Sequence, residues 1–181
     1  MLTPNDAAYM NRSLYPVGKS VKWLPDTDKY LFTDNENPNN LMIQDVNAEK
    51  AEVLITLDQV NSYLNQAGLD SIKRLPNLTW IDATKAYYYS FDQKNNCVDL
   101  NLLDIDANNI KKVTSIPSNA ENHTITLPSL KVAYTIENNL YFADGDRQVQ
   151  VTDNPENVVA GQSVHRNEFA INGGIFWSPD G

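Results

Sequence analysis

The chain has little of several things that usually announce a function. One cysteine, Cys97, stands among 181 residues. No disulfide can therefore close within the chain, and its stability has to come from packing. Only two histidines occur, His123 and His165, too far apart to form a metal-ligating pair at helical spacing. Basic residues are scarce: 14 Lys and Arg against 23 Asp and Glu give a formal net charge of −9. A surface of that sign repels phosphate backbones and anionic membranes, so no nucleic-acid partner is expected. No apolar run approaches the roughly 18 residues of a membrane span. The opening "MLTPNDAAYM" has neither a basic n-region nor an apolar h-region, so no signal peptide is expected in it.

Motifs that carry chemistry are missing too. There is no Gly-x-Ser-x-Gly nucleophile elbow. "VGKS" at 17–20 looks like the tail of a phosphate loop, but Ser13 occupies the place where that pattern needs glycine. "DIDANN" at 104–109 begins like a calcium loop, yet Asn109 replaces the glycine and Ser115 the closing glutamate. "ADGDR" at 143–147 is equally short of ligands, and both stretches read as solvated turns. Cys97 has no His or Lys nearby in sequence to activate it and reads as a small apolar filler. These absences predict no catalytic residue, no metal and no cofactor.

What the chain does have is aromatic residues and turns. Nine Tyr, three Trp and five Phe belong to a packed core rather than to disorder. Asn and Asp gather between apolar runs, the composition of a chain that reverses often. Those reversals repeat. "VKWLPDTDKYLFTDNENPNNLMIQDV" (21–46), "LTWIDATKAYYYSFDQKNNCVDLNLLDI" (78–105) and "ITLPSLKVAYTIENNLYFAD" (125–144) share one order, and "IFWSPDG" begins it again. A bulky residue (Trp23, Trp80, Leu127, Trp177) leads into a turn, a β-rich run, an Asn-rich turn and a second run. A third strand follows in "EVLIT", "IKKVTSI" and "QVQVTDN". Continuous runs such as "YLF" and "YYY" suit strands covered on both faces. The equivalent places of Trp23, Trp80 and Trp177 in the repeat predict packing roles for all three.

A period of about 50 residues with several antiparallel strands per unit is the mark of a β-propeller. One such sheet cannot bury both its faces, so neighbouring sheets have to do it. The expected fold is all-β: a partial propeller of about three antiparallel blades plus the start of a fourth. An immunoglobulin-like sandwich or small barrel also has short strands and frequent turns, although neither accounts for the recurring order. The expected divisions are an irregular lead-in over 1–20, blades over 21–56, 78–116 and 125–154, and the start of another over 158–181. Between the first two, "LDQVNSYLNQAG" (57–68) spaces Leu57, Val60, Leu64 and Ala67 along one face of a short inserted helix, with Asp58 in its first turn and Gly68 at its stop. Asp180-Gly181 reads as a turn that should introduce a further strand, so the chain is expected to stop within a domain. Exposed blade edges in such a fragment would invite association between copies.

One polar cluster stands out, "SVHRNEFAI" at 163–171, with His165, Arg166, Asn167 and Glu168 together. An arginine beside a glutamate holds the carboxylate ionised, and an ionised carboxylate can grip an ammonium group. By composition alone, an exposed loop with an incidental ion pair is the better account of the cluster. "VHRNEF" followed by "FWSPDG" resembles the N-terminal propeller of the dipeptidyl peptidase IV family of serine exopeptidases, the bacterial members and prolyl tripeptidyl peptidases most of all. "NNLYFADGDRQVQVTDNP" and the helix ahead of "LPNLTWID" resemble the same family, and the likeness runs over roughly residues 15–181.

The resemblance implies a propeller followed by an α/β-hydrolase domain with a Ser-Asp-His triad, which this chain does not match. It also implies a periplasmic or secreted parent protein. The propeller would restrict entry and hold the substrate's amino terminus through Glu168, with Arg166, Asn167 and His165 in support. Some members carry a Glu-Glu pair where this chain has Asn167-Glu168. Others use an arginine from an earlier blade, and "SFDQKNNCVDL" has none. The chain alone is expected to be non-catalytic. A stand-alone propeller that binds a protein or an envelope polymer is the alternative.

Overall fold

The computed structural model describes residues 20–162 and 173–179. Among them the chain forms three four-stranded antiparallel sheets, each made from four consecutive strands in order. The first holds β1 (Lys22–Trp23), β2 (Lys29–Thr33), β3 (Asn40–Asp45) and β4 (Glu52–Thr56). Helix α1 (Leu57–Gln66) follows directly. The second sheet holds β5 (Thr79–Trp80), β6 (Lys85–Asp92), β7 (Cys97–Asp104) and β8 (Asn109–Pro117). In the third are β9 (Glu121–Ile125), β10 (Val132–Ile136), β11 (Asn139–Asp144) and β12 (Arg147–Gln150).

Each sheet is a closed-off meander, so no strand passes from one sheet to another as a sandwich would require. This is a partial propeller. The sequence repeat shows three strands per unit, whereas the sheets have four. The additional one opens each sheet and is only two residues long in the first two, too short for alternation to reveal it.

Turn residues set the register. Asn96 and Asn108 adopt φ of 51° and 52°, a left-handed conformation that Asn tolerates better than most residues. Between β11 and β12, Gly145 has φ 58° at the first position of a two-residue loop, as such hairpins demand. The acidic stretches 104–109 and 143–147 are therefore hairpin turns. Asp104 caps its own turn by accepting from the Ala107 amide at 2.9 Å.

Strand alternation then divides the second sheet into two faces. Ala86, Tyr88, Leu103 and Ile110 pack against Val60, Tyr63 and Leu64 of α1 and against Ile55 and Leu78. Leu100 and Ile116, with half-buried Tyr87 and Tyr89, pack against Leu130, Val132, Tyr134 and Ala143 of the third unit. "YYY" thus sends its middle ring one way and its outer rings the other. Polar bonds lock the second pairing: Thr114 donates to the Gly145 carbonyl at 2.6 Å and Gln148 to the Ser115 carbonyl at 2.7 Å.

Helix α1 starts on a capping box, in which the Thr56 hydroxyl accepts from the Gln59 amide and the Gln59 side-chain oxygen accepts from the Thr56 amide. Its inward residues are Leu57, Val60, Tyr63 and Leu64. Ala67 is exposed at the C-cap, contrary to the expected apolar face, and Tyr63 takes the inner place. Tyr63 is amphipathic: its ring lies in the core while its hydroxyl donates to Asn108 at 2.6 Å. The expected packing of the tryptophans divides as well. Trp80 joins the first core cluster and Trp177 lies against Phe142, ring centroids 6.2 Å apart. Trp23 is 64% exposed, touching Tyr30 edge-on at 6.0 Å. No described helix is long and apolar enough to cross a membrane.

Candidate functional site

His165, Arg166, Asn167 and Glu168 lie outside the described residues. The structure does define both flanks of the stretch that carries them. Ala160 donates its amide to the Asn138 carbonyl at 2.9 Å, and the Gln162 side-chain amide donates to the Glu137 carbonyl. Glu137 and Asn138 form the two-residue turn between β10 and β11. Glu137 has φ 54°, a strained value for a residue with a Cβ. Downstream, Gly174 touches the Gln162 backbone so closely that a Cβ on it would lie 2.5 Å from the Gln162 carbonyl carbon. Upstream and downstream flanks thus meet at one turn of the third sheet. Beyond Gly174, Trp177 lies against Phe142 of β11.

The equivalent turn of the second sheet joins β6 to β7. Asp92 organises it, accepting from the amides of Lys94 at 2.9 Å and Asn95 at 3.1 Å and from the Asn95 side chain at 2.7 Å. Those bonds, the Asn95 side chain foremost, hold the Asp92 carboxyl below its ordinary range. Below the turn lies a polar patch that the sequence did not signal. Asp99 is buried, accepts from Ser115 at 2.5 Å and pairs with Lys112 at 3.6 Å. Cys97 Sγ lies 3.5 Å from Asp99 Oδ1. Cys97 is therefore no apolar filler: it sits on a polar face because "CVDLN" places every second residue there.

Burial first, and then the Asp99 charge, raise the Cys97 thiol pKa, so it stays protonated and is a poor nucleophile. Asp92, Cys97 and Asp99 bring three donor atoms within 4.8 Å of one another. A protonated thiol and two carboxylates already engaged with protein donors make a weak set for a cation. The patch borders a cleft of about 680 Å³ that also takes in Leu64, Leu69 and Ile72.

A propeller built of successive meanders, with its polar segment leaving from a turn of the third, is the class of structure these features define. The sequence matches the profile of the family described as the dipeptidyl peptidase IV N-terminal region over residues 71–181. The chain belongs to that family. Among solved structures it is similar to a Bacteroides ovatus protein assigned as a dipeptidyl aminopeptidase IV, with 27% identity and a TM-score of 0.66. That alignment covers 92% of this chain and 22% of the other. Porphyromonas gingivalis dipeptidyl peptidase 4 also matches, at 14% identity and a TM-score of 0.48, over 90% of this chain and 22% of that one. The chain spans about a fifth of the length of these structures.

Proposed function

We propose that this chain is the non-catalytic propeller portion of a dipeptidyl peptidase IV-like serine exopeptidase, where it gates access and anchors the peptide's amino terminus through Glu168. The observation that carries this reading is the family match itself, which spans residues 71–181 and so includes "HRNEF". Hydrolysis is assigned to a C-terminal α/β-hydrolase domain outside this sequence. Asn167 leaves one carboxylate rather than two, with Arg166 and His165 in support. A periplasmic or secreted location follows from the same reading. The exposed Trp23 and Val53 on one face of the first sheet support association of that face with a further sheet of the longer protein.

The chemistry needs no new catalytic group. A carboxylate balances an ammonium that would otherwise be buried without a counter-charge. Once the amino terminus is held, a fixed number of residues reaches the nucleophile, so orientation alone makes the hydrolase an exopeptidase. The test is Glu168→Gln in the longer enzyme. Removing one partner of a hydrogen-bonded charge pair costs about 2 kcal/mol or more, so kcat/KM for a free-amine peptide should fall at least about 30-fold. Turnover equal to that of the parental enzyme would remove the anchoring role.

A further inference from the structure

One face of the second sheet is split along its length. Ala86, Leu103 and Ile110 lie under α1 at one end. Towards the β6–β7 turn, alternation brings Ser90, Asp99, Asn101 and Lys112 to that same face, and these four line the cleft of about 680 Å³. Another wall is the loop after α1, which contributes Leu69 and Ile72. That wall is fixed in place. The Asn61 side chain accepts from the Ile72 amide at 2.8 Å and donates to the Ile72 carbonyl at 3.1 Å, and the Leu69 amide donates to the Leu64 carbonyl at 2.9 Å. Two groups in the lining are short of partners. Every hydrogen bond or ion pair that a described residue makes with the Asp99 carboxylate falls on Oδ1, from Ser115, Cys97 and Lys112. Oδ2 has none among the described residues, although Asp99 is only 6% exposed. Tyr88, also in the lining, is 2% exposed, and its hydroxyl is buried with no partner among the described residues. Tyr88 stands opposite Asn101 and Ser90 opposite Asp99, so both deficits fall on one face. A buried polar group without a partner lowers stability, and a ligand that bonds it removes that cost.

We propose that this cleft binds a neutral sugar unit, with Tyr88, Ser90, Asp99 and Asn101 as its hydrogen-bonding wall and Leu69 and Ile72 as its apolar one. The lining suits a neutral ligand better than a charged one. Lys112 already stands 3.6 Å from Asp99, which leaves no bare carboxylate for a cation. Asp70, Asp92 and Asp99 in the same lining repel an anion. A sugar hydroxyl both donates and accepts, and the groups here offer both roles. Asp99 Oδ2 accepts. The Tyr88 hydroxyl can give its proton, and Ser90, whose Oγ accepts from Asn101 Nδ2 at 2.9 Å, keeps its own proton to donate. The C–H face of a sugar ring is apolar and matches Leu69 and Ile72. The volume lies within the roughly 300–1,000 Å³ of small-molecule pockets. The lining comes from α1, the loop after it and the second sheet, so sugar binding here is independent of the amine anchor at Glu168.

The experiment titrates the longer enzyme by saturation-transfer NMR with glucose, galactose, mannose and N-acetylglucosamine. Lysine amide and glucose 6-phosphate serve as the charged comparisons. At least one neutral sugar should bind with a Kd of about 1–10 mM. Tyr88→Phe should weaken that binding about 3- to 10-fold and Asp99→Asn by about 10-fold or more. Val53→Ala, on the first sheet, should leave it within about two-fold. Tyr88→Phe is the decisive variant: it should bind less while resisting denaturant more, a combination that a damaged fold does not produce. A disaccharide of the binding sugar that holds more tightly marks a glycan as the source, and one that holds equally marks a free sugar; both sustain the proposal. No binding by any of the four sugars, or a Kd unchanged in either Tyr88→Phe or Asp99→Asn, would overturn it. So would lysine amide or glucose 6-phosphate binding more tightly than every neutral sugar, since the cleft would then select for charge.

Discussion

The first and second sheets are the same meander with the same leading tryptophan, and they are buried very differently. Trp80 and Tyr88 of the second sheet sit in or against the cluster completed by α1, and Leu100 lies in the cluster shared with the third unit. The first sheet contributes Leu31 and Ile55 to the interior, while Trp23 and Val53 remain largely exposed. A repeat thus specifies strands and turns, whereas neighbours decide burial. The second sheet is the one with a described partner on each side, and the stability of the fold should concentrate there.

Substitutions can sharpen or break that contrast. Leu103→Ala or Leu100→Ala removes a fully buried side chain from one face or the other, and each should cost about 2–5 kcal/mol in chemical denaturation. Thr56→Ala takes away the side-chain half of the capping box on α1, the hydroxyl that accepts from the Gln59 amide, and should cost about 1 kcal/mol. A gain of about 1 kcal/mol is expected from Tyr88→Phe, because the Tyr88 hydroxyl is buried with no partner among the described residues. Least of all, Val53→Ala on the first sheet should change stability by less than about 0.5 kcal/mol. A loss at Val53 as large as that at Leu103 would erase the distinction between the two sheets.

Tyr88→Phe carries a pH signature as well. Burial pushes the Tyr88 hydroxyl from 10.0 up to about 12, so the folded chain holds that proton more tightly than the unfolded one. The contribution is whole below the unfolded value and is lost as pH rises from 10.0 towards about 12. Stability should fall across that window, and Tyr88→Phe should flatten part of the fall. Tyr89, also raised to about 12 by burial first and by Tyr87 second, keeps the remainder in place. Denaturation midpoints at pH values spanning the window would check it.

The repeat was legible because its turns are chemically explicit: Asn, Asp and Gly recur at fixed offsets from β-rich runs. The two-residue opening strands were not, since a pair such as Lys22–Trp23 has no period to detect. Misjudging Trp23 has the same root, because equivalence within a repeat says nothing about who stands opposite. In the candidate site, "HRNEF" was visible as an unusual polar run beside a family motif. Asp99 and Gln162 were not, for each is one polar residue in an ordinary segment, and only alternation across β7 or contact with a distant turn gives it meaning. Gly174 was hidden by Gly173 beside it. Two adjacent glycines look alike in sequence, and space around the backbone separates them.

The most direct measurement is the selectivity of the longer enzyme, taken as kcat/KM for a free-amine peptide divided by that for the same peptide N-acetylated. The account predicts a large ratio that collapses towards about one in Glu168→Gln, mainly through loss on the free-amine peptide. A ratio that survives the substitution unchanged would contradict it.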